Sequence, residues 1–289
     1  EQFKESSPIC VQCGLFLSRP NQSPVIRHFG LKLLEDVIKA RWNDMSPEQK
    51  LFIKENVMQM IQSGTNDILT ESNHVKDGIS RLVVEIAKRE WPQHWPSFIP
   101  ELNALAQKGE MQAEMVMFII LRLVEDVALL QTLEQTQRRK EIYQALTSNL
   151  EEIFAFLFQF LEKHYQAYLE ARGQTSQPAI KLQKQHCKVC QAVLSTFNAF
   201  VEWVPMSHIM SKDRFLIRCL CHLLSDELLR LNAAECLLSI VGWKVGKVTD
   251  RAQLLTLFNS DMMAPLFTAT ETAAQLALNE ENYLFLKII

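Results

Sequence analysis

Residues 27–42 read RHFGLKLLEDVIKARW, and residues 76–91 read KDGISRLVVEIAKREW. Laid over one another at a shift of 49 residues, the two stretches agree in kind along most of their length. Arg27 meets Lys76, Lys32 meets Arg81, Leu33 meets Leu82 and Leu34 meets Val83. Asp36 meets Glu85, Val37 meets Ile86, Lys39 meets Lys88 and Trp42 meets Trp91. A weaker copy follows 41 residues later, RLVVEI at 81–86 against RLVEDV at 122–127.

A period of 40 to 50 residues with two helices per unit is the signature of a HEAT-type solenoid, and it differs from the shorter tetratricopeptide period. Helical patterning around the repeat agrees with this. Ile26, Phe29, Leu33 and Val37 recur at intervals of three and four and predict an apolar stripe, with Ser23 as N-cap and Pro24 in the first turn. Ser46-Pro47 opens the next helix, and Gly64 closes it. Val75, Ile79, Leu82 and Ile86 form the corresponding stripe one repeat on. Further helices are predicted over about 110–132, 137–172, 178–204, 210–224 and 226–245, with a last group from 250 onward; 171–179 reads as a flexible loop.

The joint between repeats is written in KREWPQHWPSFIPEL, residues 88–102. Trp-Pro occurs twice in six residues. Proline stops a helix and tryptophan is used for burial. Trp91-Pro92 therefore ends the second helix of one repeat, Pro96 falls in the first turn of the next, and Trp91 and Trp95 fill the space between them. Trp203-Val204-Pro205 predicts the same punctuation later in the chain. The expected fold is all-α, a right-handed superhelix of antiparallel helix pairs. About six repeats span residues 1–289 as one partial solenoid, cut at both ends. A start at Glu1 and an end inside the apolar NYLFLKII suggest the cuts, so apolar side chains among Tyr283, Leu284, Leu286, Ile288 and Ile289 are expected to be exposed.

Composition narrows the function. With 48% hydrophobic and 22% charged residues, 289 residues can bury a large core, and only 8 glycines argue against a turn-rich sheet protein. A formal net charge of −3 gives no general mandate for nucleic acid or an anionic membrane. The most apolar run, 115–130, is interrupted by Arg122, Glu125 and Asp126 and reads as a buried helix, so no membrane span is expected. No phosphate loop, G-x-S-x-G or His-Glu-x-x-His is present, and the chain is not expected to be an enzyme. Cys10-x-x-Cys13 and Cys187-x-x-Cys190, with His186 adjacent, have zinc-like spacing. The two pairs have 173 residues between them and stand in helical context, where i and i+3 thiols share one packed face. They read as reduced core cysteines, and no metal is expected.

VIRHFGLKLLEDVIKARWNDMS, EWPQHWP, EMVMFIILRLVEDV, WVPMSHI and AAECLL together resemble the N-terminal region of the exportins of the importin-β superfamily, in particular the branch that carries pre-microRNA hairpins. The likeness covers essentially the whole chain. It implies a scaffold that binds a Ran-type GTPase in its GTP form near its N-terminus, with double-stranded RNA bearing a short 3′ overhang as cargo and nucleoporins as further partners. It implies shuttling between nucleus and cytoplasm and no cofactor of its own, GTP arriving only through the GTPase. The alternative is a HEAT scaffold for proteins without a GTPase switch.

In such a family the second helix of each repeat lines the concave surface. The face away from the first stripe holds Lys32, Glu35, Asp36 and Lys39, and its shifted copy holds Asp77, Arg81, Glu85 and Lys88. Mixed charge suits a protein surface better than phosphate alone. These eight residues are the candidate GTPase-binding set, expected to point into solvent. Most also form i,i+4 pairs that would serve as solvated helix decoration. Lys181, Lys184 and Lys188 lie at intervals of three and four and are the candidate RNA-phosphate stripe. Gln137 to Lys140, QRRK, is a weaker positive run.

Overall fold

The structure, a computed structural model, describes residues 9–63, 67–129, 136–242, 254–275 and 280–289. Among these residues every regular element is helical. The chain divides into two compact units, 1–189 and 190–289.

The first unit is a row of helical hairpins. Helix α1 (Cys10–Leu17) packs on α2 (Pro24–Arg41), α3 (Pro47–Ser63) on α4 (Asn73–Glu90), and α5 (Phe98–Ala106) on α6 (Glu110–Val124). The second helices α2, α4 and α6 lie side by side, and α6 runs on into one wide turn over Glu125–Leu129. Helices α7 (Thr136–Ser148) and α8 (Leu150–Arg172) follow, and α9 (Gln177–Val201) crosses from this unit into the second. The second unit holds α10 (Met206–Ile209), α11 (Ser211–Leu223), α12 (Arg230–Val241), α13 (Ser260–Gln275) and α14 (Glu280–Ile288). There α11 contacts α12 and α13, and α14 closes against α12 and α13.

Local chemistry sets these boundaries. The Ile26 amide donates to Ser23 Oγ at 3.4 Å, and Pro24 opens α2 as expected. Ser46 and Gln49 form a reciprocal capping box: the Gln49 amide donates to Ser46 Oγ at 3.4 Å, and the Ser46 amide to Gln49 Oε1 at 3.0 Å. The first hairpin closes tightly on glycine. A Cβ on Gly30 would lie 2.7 Å from the Ser18 amide nitrogen and 2.8 Å from the Gly14 carbonyl, so no larger residue fits.

Trp91 and Trp95 fill the joint as the sequence predicts. Both are buried, and their rings meet Phe98 at 5.7 and 4.8 Å. Trp95 also lies under Lys54 Nζ of α3 at 5.1 Å, which ties it to the preceding hairpin. Pro96 falls just before the N-cap Ser97 of α5, and the proline inside that first turn is Pro100, where a missing N–H does no harm. At the later joint α9 ends at Val201, Val204 is buried, and Pro205 directly precedes α10.

Several expectations are corrected. Residues 137–172 form two helices, because the chain turns at Asn149, whose Nδ2 donates to the Ala145 carbonyl at 2.7 Å and ends α7. The loop at 171–179 contracts to 173–176, since Ala171 and Ala179 are buried on α8 and α9. The apolar stripe of α2 fails at its start: Ile26 is 40% and Phe29 59% exposed, whereas Leu33 and Val37 are buried. The stripe of α4 holds throughout. Gly64, the ends predicted near 132 and 245, and the start near 250 lie outside the described residues. At the C-terminus Tyr283, Leu284 and Ile289 are exposed and Leu286 and Ile288 half-buried, as expected, while Phe285 is buried beneath Arg230 at 5.3 Å. No helix of the described residues is long and apolar enough to cross a membrane.

Candidate functional site

The repeated charges of α2, α4 and α6 form two rows. The first lies at the N-terminal ends of the helices and is buried. Arg27 Nη1 bonds both Glu71 oxygens, at 2.9 and 3.0 Å. Its copy one repeat later, Lys76, donates to Glu114 of α6 at 2.6 Å and to the Ile68 carbonyl at 2.8 Å. Burial pushes the Glu114 carboxyl above its ordinary value, against the opposing pull of Lys76 and Lys188. On both α2 and α4 a cation thus meets a carboxylate belonging to the next repeat.

The second row holds the candidate GTPase residues. Lys32 bridges Glu35 at 3.1 Å and Asp36 at 3.2 Å. Lys39 pairs with Glu35 on its own helix and reaches Glu85 of α4 at 3.8 Å. Glu85 also takes Lys88 at 2.5 Å and Arg89 at 2.7 Å, and Lys88 goes on to Asp126 beyond α6 at 2.8 Å. Asp77 joins Arg81 at 2.8 Å to Arg122 of α6 at 2.5 Å. A continuous chain of charges therefore runs Asp36–Lys32–Glu35–Lys39–Glu85–Lys88–Asp126 across three successive repeats. Burial alone would raise the Glu35 carboxyl, but hydrogen bonds from Lys39 and Lys32 outweigh it and hold the group below its ordinary value.

The expectation that all eight residues face solvent is corrected for three of them. Glu35, Glu85 and Lys88 are buried. The reason is that α4 lies between α2 and α6 and is backed by α3, while α2 is packed on both α1 and α4. Little of either circumference is left, and charges at the flanks are enclosed as inter-repeat pairs. Lys32 and Lys39 remain exposed, with Asp36, Asp77 and Arg81 half-buried beside them. Of the four i,i+4 pairs expected within α2 and α4, three form, at Lys32–Asp36, Lys39–Glu35 and Arg81–Asp77, whereas for the fourth, Arg81–Glu85, the Glu85 carboxylate is taken by Lys39, Lys88 and Arg89 instead.

Two arginines close the C-terminal ends of these helices. Arg89 Nη2 donates to the Lys39 carbonyl at 3.3 Å, and Arg138 Nε donates to the Lys88 carbonyl at 2.8 Å. Arg138 also reaches the Trp91 carbonyl, and Glu141 at 3.0 Å. A cation at a helix C-terminus satisfies orphan carbonyls and opposes the helix dipole. Arg89 and Arg138 are 49 residues apart, the same shift that relates Lys39 to Lys88. Both arginines were therefore within reach of the sequence comparison, and so was Asp126, the 41-residue copy of Glu85. Glu71 and Glu114 carry no such signal.

The lysines of α9 do not form one open positive stripe. Lys181 is bound to Asp67 at 2.5 Å, and Gln185 donates to the same carboxylate at 3.0 Å, which holds Asp67 below its ordinary value. Lys188 is half-buried on the Glu114 side. Lys184 is exposed. In QRRK, Arg138 is consumed by the helix cap. The seven cysteines form no disulfide, and Cys10 packs with Leu33 and Val37 against the half-buried Cys13.

Two family descriptions match the chain. Residues 1–63 match the importin-beta N-terminal domain, and residues 72–237 match the exportin 1-like protein family. The chain is similar to exportin-5 of Homo sapiens, with 48% identity over 287 residues, covering 99% of this chain and 24% of the human protein. Exportin-5 of Mus musculus is 47% identical over the same coverage, and protein HASTY 1 of Arabidopsis thaliana 28% over 227 residues, 78% of this chain and 18% of that protein. The chain spans about a quarter or less of the length of these relatives. All three charged second helices are covered, α2 by the importin-beta N-terminal match and α4 and α6 by the exportin match, and with more than half of its residues inside the latter the chain belongs to the exportin 1-like family.

Proposed function

We propose that this chain is part of a nuclear export receptor, and that the exposed members of its charge row meet a Ran-type GTPase in the GTP form. The observation that carries the reading is the likeness to exportin-5 along 99% of the chain, together with cations repeated on adjacent second helices. Lys32, Lys39 and Arg81 each stand over a carboxylate of the same row, so the surface offers alternating charge at a spacing set by the stacking of repeats. Such a pattern selects a protein surface by complementarity and speeds encounter more than it adds raw affinity. Double-stranded RNA with a short 3′ overhang is the proposed cargo. Lys184 is the α9 lysine best placed to touch phosphate, and nucleoporins are further partners in transit between nucleus and cytoplasm. The role is that of a carrier and not an enzyme, with GTP entering only on the GTPase.

The deciding experiment is a pull-down of the intact receptor with the GTPase loaded with GTP or GDP, each with and without hairpin RNA. Retention of GTPase and RNA together only in the GTP state is the expected result. Equal retention in both nucleotide states would favour the scaffold reading.

A further inference from the structure

His164 of α8 and His186 of α9 face one another in the first unit, Nδ1 to Nδ1 at 2.8 Å. Both are buried, His164 to 2% exposure. Glu110, the first residue of α6, completes the group: one ligand-type atom from each of the three lies within 4.8 Å of the others. Three helices from different parts of the row thus deliver two imidazoles and a carboxylate to one point. The sequence alone points elsewhere, placing His186 beside Cys187-x-x-Cys190 with no metal expected.

The geometry points to Glu110, His164 and His186 as a binding site for a zinc-class divalent cation that ties α6, α8 and α9 together.

Three observations support this. Two Nδ1 atoms at hydrogen-bond distance can share only one proton, so one lone pair must face the other ring's N–H. A metal ion takes the place of that single proton and uses both lone pairs. Zinc–nitrogen bonds of about 2.0–2.1 Å in tetrahedral geometry place two ligand nitrogens about 3.3 Å apart, so a small outward turn of either ring suffices. Nothing polar resists that turn at the far side of His164, whose buried Nε2 has no hydrogen-bond partner. Around the pair, the Phe160 ring stacks on His164 at 5.8 Å. The donor set is also selective. Two imidazoles with one carboxylate suit zinc and its neighbours, whereas magnesium and calcium prefer all-oxygen ligands.

The charges nearby set the terms of binding. Glu110 supplies the negative charge that a dication needs in a dry site, and as the half-buried member it marks the side open to entry. Lys163 opposes it, but its ammonium is held 5.6 Å over the Phe160 ring and donates to Gln107 at 3.3 Å. Burial lowers both imidazoles below their ordinary value, His164 to about 4 with His186 and Lys163 adding to the effect, and His186 despite the pull of Glu110.

The test is titration of the chelator-treated 289-residue chain with Zn²⁺ by calorimetry, and with Co²⁺ by absorption spectroscopy. One equivalent should bind and raise the melting temperature. The Co²⁺ spectrum should show ligand-field bands of an N/O site with no thiolate charge-transfer band. Glu110→Gln removes the half-buried ligand and should lower Zn²⁺ affinity at least about tenfold. His186→Gln should remove the one-equivalent binding. Stoichiometric binding that survives both substitutions, a thiolate band, or no binding by the unaltered chain would overturn the assignment. None of these results depends on whether the receptor binds a GTPase.

Discussion

Arg138 reaches back fifty positions to donate from Nε to the carbonyl of Lys88 at 2.8 Å. Lys88 sits in the last turn of α4, where backbone carbonyls have no intrahelical donor. One contact therefore ends a helix and joins two repeats. Arg138→Ala is expected to destabilise the first unit by about 1.5–3 kcal/mol, the range for hydrogen bonds to a charged group. Arg138→Lys should recover only part, since an ammonium cannot serve the Lys88 and Trp91 carbonyls and Glu141 from one planar fork. Urea denaturation of the three proteins checks both expectations, and equal midpoints would show that the fork is idle.

Lys76 and Glu114 form a buried pair whose partners are 0% and 5% exposed. Removing one partner leaves an uncompensated polar group in the core. Lys76→Met alone and Glu114→Leu alone are each expected to cost about 3–5 kcal/mol, whereas the double substitution should cost much less. A double-mutant cycle on thermal or urea melts reads the coupling directly. Additive single effects would mean that the two residues act independently.

Lys39 and Lys88 occupy equivalent repeat positions in unequal surroundings. The Lys39 side chain is 45% exposed and that of Lys88 is 8% exposed, clamped between Glu85 and Asp126. Charge reversal at Lys88 should therefore lower the melting temperature sharply, whatever the protein binds. Reversal at Lys39 should lower the melting temperature less than reversal at Lys88, but measurably, because it sets a third carboxylate beside the buried Glu35 and Glu85. If the proposed GTPase surface is right, Lys39→Glu should weaken binding of the GTP-loaded GTPase to the intact receptor by about 1–3 kcal/mol. Calorimetric binding beside a melting curve separates the two effects. Unchanged affinity for Lys39→Glu would remove this residue from the interface.

Lys184 is exposed on α9, while Lys181 is already paired with Asp67. Lys184→Glu is expected to reduce the salt slope of hairpin RNA binding by about one counterion, without sequence preference. Lys181→Glu should instead disturb the α9 contact with the segment before α4. Binding isotherms across a salt series decide the first point. An identical slope would leave the α9 lysines without a role in cargo binding.

The repeat was legible in sequence because it rests on local chemistry. Ser23-Pro24, Ser46-Pro47 and Trp203-Val204-Pro205 set helix boundaries through backbone sterics and capping, which need no distant partner. The same register correctly marked Lys39 and Lys88 as equivalent, and even contained Arg89 and Arg138. It could not say which charges reach water. A helical wheel assumes one buried face and one wet face, but α2 and α4 are packed on several sides, so Glu35, Glu85 and Lys88 became buried joints and Arg81 half-buried, while Lys32 and Lys39 stayed outside. Asp67 with Lys181, Lys76 with Glu114, and His164 with His186 and Glu110 were likewise decided only by the stacking of repeats. Local periodicity determines that helices form and where they stop, whereas which side chains meet depends on packing between segments that are 22 to 118 residues apart.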